Sequence, residues 1–187
     1  MSDENIPGRV FLDTSVVNFW MDYGQQISEG SDPPLGLPQS DVKDIEGLHG
    51  IYMTGQRATW QLAISPHTYQ EVLNTNEPNQ RFYIENWFLE IWAYWQKIIQ
   101  DNDDLPAFVD AEAQRVRILS SGILEVLPDL ADRILLLDAI VYKCDLFCTR
   151  DRKTIVRHRE QLSVLGMPIV TPAEWWKTIQ PYAALWW

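Results

Sequence analysis

The stretch Leu130–Thr154, LADRILLLDAIVYKCDLFCTRDRKT, constrains the fold more than any other part of the chain. From Ile134 the residues are apolar around nearly the whole helical circumference, which predicts a buried helix rather than a surface one. Leu146, Phe147 and Cys148 then form a short apolar run, as expected of a strand covered on both faces. Such a helix and strand belong to a parallel α/β unit, in which helix N-termini and strand C-termini share one edge of the sheet. Asp132 lies in the first turn of the helix, and Asp151 stands two residues beyond Thr149, where the strand ends. The topology therefore brings two carboxylates to the edge where open α/β sheets bind ligands, although 19 residues separate them in the chain.

Two further segments repeat the arrangement. Arg9-Val10-Phe11-Leu12 reads as a first strand ended by Asp13, with Thr14 and Ser15 as N-cap candidates for a helix beginning near Val16. Leu62-Ala63-Ile64-Ser65 reads as a second strand, and Pro66 takes a first helical position, with Glu71 about one and a half turns further on. Ile169 to Thr171 is the last strand, and 172–179 the last helix. Four crowded carboxylates raise one another's pKa unless a cation balances them. Hard oxygen donors without nearby histidine or cysteine suit Mg²⁺ or Mn²⁺ better than Zn²⁺. Thr14, Ser15 and Thr149 are placed to orient the acids by hydrogen bonds.

VFLDTS, AISPHTYQEVLN, DRILLLDAIVYKCDLFCTRD and IVTPAEWW, in that order, resemble the acid-bearing motifs of the PIN domain family. The resemblance implies a three-layer α/β fold. Its central parallel sheet has four or five strands flanked by helices, with the first strand at the centre. It also implies a metal-dependent endoribonuclease using Asp13, Glu71, Asp132 and Asp151 as catalytic and metal-binding acids. Many relatives are toxins silenced by a small antitoxin protein, so an RNA substrate and a protein partner of that kind are expectations. Two alternatives stay open: a non-catalytic PIN-like interaction module, and a nuclease for structured DNA. Asp138 competes with Asp132 for the third acid. It lies six residues on, about 9 Å further along the axis and about 240° round the helix, which turns it away from the strand ends. The spacing of 19 from Asp132 to Asp151 also resembles the family better than 13 does. Asp138 then needs another partner among its leucine neighbours, such as an arginine or a backbone donor.

At 187 residues the chain reads as a single domain, with a Gly-, Pro- and acid-rich insertion over about 24–50. The insertion reads as a loop or partly ordered segment, whose tail from about Asp41 begins a helix running to Trp60. The net charge of −11 disfavours approach to nucleic acid unless a local patch overcomes it. Residues 150–159 offer such a patch: Arg150, Arg152, Lys153, Arg157 and Arg159 against Asp151 alone, a net +4. They read either as substrate phosphate contacts or as a solvated helix face. Ile84, Trp87, Phe88, Ile91, Trp92, Trp95, Ile98 and Ile99 recur at helical spacing, a core or dimer-packing stripe more than a base-stacking platform. Val109–Leu119 reads as a helix with Arg115 and Arg117 exposed, and 123–127 as a strand. Tyr182, Leu185, Trp186 and Trp187 form an apolar tail expected to pack on this domain or on a second subunit, which would make a homodimer. No secretory signal or membrane span is read. Cys144 and Cys148 are expected as buried free thiols of a cytoplasmic protein.

Overall fold

The computed structural model describes residues 6–55, 58, 60–68, 78–106 and 108–186, and their side chains outside 78–88, 108–109 and 184–186. Its sheet has strands β1 (Arg9–Leu12), β2 (Gln61–Ala63), β3 (Leu146–Cys148) and β4 (Ile169–Val170). They pair in the order β2-β1-β3-β4, parallel throughout, with Val10 opposite Leu62, Phe11 opposite Phe147 and Cys148 opposite Val170. The expected all-parallel sheet is therefore present, with β1 in its interior. The helices are α1 (Thr14–Asp22), α2 (Gly24–Glu29), α3 (Gln39–Gly55), α4 (Pro78–Asp101), α5 (Phe108–Ser120), α6 (Leu130–Val141) and α7 (Pro172–Ile179). Residues 66–68 are also helical, so Pro66 does open a helix. Among the described residues no helix is long and apolar enough to cross a membrane.

Alternation along the strands divides the core. Phe11, Ala63, Phe147 and Ile169 pack with Trp95 and Ile99 of α4 and with Leu135, Leu136 and Ala139 of α6. Val10, Leu12, Leu146 and Cys148 pack on the other face with Val16, Val17 and Phe19 of α1, Ile45, Leu48 and Ile51 of α3, and Trp175 of α7. The period of two thus puts every second strand residue into each of two helical layers. Phe11 and Phe147 stack at 5.4 Å between ring centroids, joining the two central strands. Helix α6 is buried over Leu135, Leu136, Leu137, Asp138, Ala139 and Val141, and Asp129 caps it by accepting from the Ala131 N–H at 2.9 Å. The α4 stripe is core where its side chains are described, since Trp95 is fully buried and Ile99 nearly so.

The structure departs from the sequence reading at several points. Within 24–50, residues 24–29 are helical where a loop was expected, 30–38 are the non-helical connection, and the helix expected from about Asp41 is α3, which packs on α2. Two of its glycines, which read as breakers, permit close approach: a Cβ on Gly47 would meet the Pro172 carbonyl oxygen at 2.9 Å, and one on Gly50 the Trp176 ring at 2.5 Å. Helix α3 ends at Gly55, short of Trp60. Residues 123–127 form turns, not a strand. Leu124 and Leu127 are buried, but Glu125 N–H bonds to Gly122 and Leu127 N–H to Leu124, so their backbone is satisfied locally without a ladder. Arg115 is largely buried beside Asp138, whereas Arg117 is exposed. The basic run lies on turns and a short 3-10 segment, Val156–His158, so no regular helix face displays it. In the tail, Ala183 is buried within the 3-10 segment Gln180–Trp186, and Trp187 lies outside the described residues. Cys144 and Cys148 are buried free thiols as expected.

Candidate functional site

The site is built on the carboxyl ends of the two central strands. The Asp13 N–H bonds to the Cys148 carbonyl at 3.0 Å, extending the β1–β3 ladder by one residue. Asp13 is then the N-cap residue of α1, which starts at Thr14 rather than near Val16. Its side chain makes no capping bond to the helix. Instead its Oδ2 accepts from Thr149 Oγ1 at 2.6 Å and from Ser15 Oγ. Thr149 is fully buried and Asp13 only 4% exposed, so these bonds are sheltered from water.

The same two hydroxyls hold the next loop. Ser15 Oγ accepts from the Arg150 N–H at 2.9 Å, and Thr149 Oγ1 accepts from the Asp151 N–H at 2.9 Å. Each hydroxyl thus spends its one proton on Asp13 and accepts from the chain after β3. Asp151 folds its own loop, with Oδ1 accepting from the Lys153 and Thr154 N–H groups at 3.0 and 2.8 Å. Asp13, Ser15, Thr149 and Asp151 are therefore one hydrogen-bonded unit. Thr14 is buried beside it. Asp132 lies in the first turn of α6, half-buried, on the helix end that the βαβ topology turns to this edge. Glu71 lies outside the described residues.

Asp138 bonds outside this unit, but it is not turned away from every strand end as expected, since its partner Ser65 stands two residues beyond β2. It is fully buried and accepts from Ser65 Oγ and Arg115 Nε, and Arg115 also donates to the Tyr142 hydroxyl at 3.4 Å. Ser65 Oγ in turn accepts from the His67 N–H at 3.1 Å, at the start of the helix that Pro66 opens. The arginine expected to neutralise Asp138 is thus Arg115. Burial pushes the Tyr142 hydroxyl above its ordinary pKa, against the pull of Arg115.

Three of the five cations proposed for phosphate contact have carboxylate partners. Arg150 donates to Asp44 Oδ2 at 3.0 Å and to Asp41 Oδ1 at 2.8 Å, and lies over the Phe19 ring at 3.3 Å. The Arg152 guanidinium reaches the same Asp44 oxygen at 2.9 Å. Arg159 grips both Glu174 oxygens, at 2.8 and 2.9 Å. Lys153 and Arg157 are exposed. Asp41 and Asp44 were not singled out as site residues from the sequence; their spacing of three on one helical face was the available signal. Burial raises the Glu174 carboxyl, but the Thr171 N–H and Arg159 outweigh it and leave the group below its usual value. Burial pushes the Asp22 carboxyl up, and Arg150 offsets part of that.

Among the described residues no group of three or more His, Cys, Asp or Glu is arranged to hold a metal ion. The donors assembled at the edge are carboxylate and hydroxyl oxygens, a set that fits a hard divalent cation by its chemistry. No family model, no curated protein and no solved structure matches this chain.

Proposed function

We propose that this chain is a PIN-type nuclease that hydrolyses RNA phosphodiester bonds with Mg²⁺ or Mn²⁺. Asp13, Glu71, Asp132 and Asp151 are its metal-holding acids. The observation that carries the reading is the Asp13–Thr149–Asp151 unit at the carboxyl edge of the two central parallel strands. An acid held by two hydroxyls in a sheltered place, at the edge where such sheets bind ligands, supports this reading, because metal-holding carboxylates are oriented by hydrogen bonds of this kind. The cation would supply a water of lowered pKa and neutralise developing charge on the phosphate. The chain's own contribution is orientation: Ser15 and Thr149 fix one Asp13 oxygen, and Thr149 ties the Asp151 backbone to it. Exposed Lys153 and Arg157 follow Asp151 and are the cations open to a phosphate backbone. The role of a toxin bound by a small antitoxin is the biological setting the motif resemblance implies.

One observation favours a second reading, a protein-interaction module on the same fold. Arg150, Arg152 and Arg159 are occupied by internal carboxylates, which thins the basic footprint of a chain with net charge −11. The deciding experiment measures Mn²⁺ binding and cleavage of single-stranded RNA, structured RNA and flap DNA by wild type and Asp13→Asn. The nuclease reading expects Mn²⁺-dependent RNA cleavage that Asp13→Asn abolishes. Cleavage of DNA alone moves the assignment to a DNA nuclease, and Mn²⁺-independent inertness toward all three supports the interaction module.

A further inference from the structure

Asp44 lies on α3 and has no exposed side-chain surface. Its Oδ2 receives the guanidinium groups of both Arg150 and Arg152, and its Oδ1 accepts from the Ala173 N–H at 3.3 Å in the first turn of α7. Those two arginines flank Asp151. The Arg152 N–H bonds to the Arg150 carbonyl at 2.8 Å, so the two arginines are the ends of a three-residue turn with Asp151 at its centre. Converging both arginines on one buried oxygen therefore fixes which way the loop presents Asp151. The other side of the loop is already tied down, through Arg150 N–H on Ser15 and Asp151 N–H on Thr149. The loop is thus gripped by the hydroxyls of Ser15 in α1 and Thr149 after β3, and from α3 by a carboxylate. Helix α3 is itself rigidly seated, with Ile45, Leu48 and Ile51 in the core and Gly47 and Gly50 against α7. Asp41 and Asp44 also balance two positive charges that would otherwise repel a cation beside Asp151.

We propose that Asp44 is a positioning residue for Asp151, acting through Arg150 and Arg152, and that α3 is the frame that holds this half of the site. The inference rests on the nuclease reading above, because it takes Asp151 to be a metal-holding acid. It deepens that reading by assigning a task to a segment with no place among the acid-bearing motifs. The rival account is that the same bonds fasten α3 to the sheet and do nothing for the site.

The test is Mn²⁺ affinity, followed by the electron paramagnetic resonance signal of free Mn²⁺, with helicity and thermal midpoint measured on the same samples. Arg152→Gln is the informative variant, since Arg152 is partly exposed and its loss leaves Arg150 on Asp44. Removing a positive charge near a cation site would by Coulomb's law tighten Mn²⁺ binding. Loss of positioning acts in the opposite sense, and a weakening of roughly tenfold is expected, the usual effect of losing an outer-shell support. Asp44→Asn, wherever it folds, should weaken binding at least as much. Unchanged or tighter binding in folded Arg152→Gln, or wild-type affinity in folded Asp44→Asn, overturns the positioning role and leaves the network as a fastener of α3. Wild-type protein that binds no Mn²⁺, or binds it equally well as Asp13→Asn, overturns the site reading and this inference with it.

Discussion

Thr149 donates a hydrogen bond of 2.6 Å to Asp13 across 136 residues of chain, and both side chains are buried. The pairing is possible because β1 and β3 are adjacent parallel strands, so their ends emerge side by side. The Thr149 hydroxyl also accepts from the Asp151 N–H, so its removal takes one of the two hydroxyl donors from Asp13 Oδ2 and the side-chain acceptor from that N–H. Thr149→Val should therefore destabilise by about 1–3 kcal/mol, and Thr149→Ser by much less. Urea midpoints of the two variants check this; equal midpoints would mean that the hydroxyl bonds carry no net stability. Under the nuclease reading, Thr149→Val also loses activity that Thr149→Ser retains.

Asp132 and Asp138 should separate cleanly by variant. Asp138→Ala leaves Arg115 without its buried partner and should cost about 3–5 kcal/mol, whereas Asp138→Leu with Arg115→Met should recover much of it. Asp132→Asn should abolish Mn²⁺-dependent cleavage in a protein whose helicity shows that it still folds. A stable Asp138→Asn protein that has lost Mn²⁺ binding would assign the third acid to Asp138 instead.

Gly50→Ala tests the contact between α3 and α7. The added methyl would overlap the Trp176 ring, at 2.5 Å from its nearest atom, so the ring or α7 must shift; the expected cost is about 1–3 kcal/mol. Gly24→Ala is the control, because nothing lies within 4 Å of the new methyl and alanine favours a helix. It should be neutral or stabilising by up to about 1 kcal/mol. Equal thermal midpoints for the two variants would show that α3 and α7 do not depend on this approach.

Glu174 predicts a pH dependence. Its folded-state pKa lies below the ordinary value, through the Thr171 N–H and Arg159 acting against burial. Its contribution to stability is therefore complete above the unfolded glutamate pKa of about 4.3 and is lost as pH falls through the lower folded value. Arg159→Gln removes one cause of the depression. Relative to wild type it should lose stability near neutral pH and show a shallower decline below about pH 5. Thermal midpoints of both proteins across that range provide the measurement, and parallel curves would exclude the pair from the acid limb.

Much of the architecture was legible in the chain because its signals are local. A continuous apolar run at 146–148, an all-round apolar helix after Leu130 and an acid ending the first strand predict a buried parallel sheet with carboxylates on one edge. The need of Asp138 for a counter-charge was equally readable from its leucine neighbours. What remained hidden depends on partners distant in sequence. Glycines in 24–50 carry a breaker signal in isolation. Only the packed α3–α7 pair shows that the missing side chains make room for Pro172 and Trp176. Leu124 and Leu127 have the pattern of a strand, yet the turns at 121–128 satisfy their backbone bonds, so burial occurs without pairing. Charge behaves in the same way. Five cations clustered at 150–159 determine a local potential, but whether they face solvent is decided by the tertiary arrangement that brings Asp41, Asp44 and Glu174 against them. Periodicity and composition act over a few residues and so specify elements, whereas the neutralisation of one element by another is a property of the assembled fold.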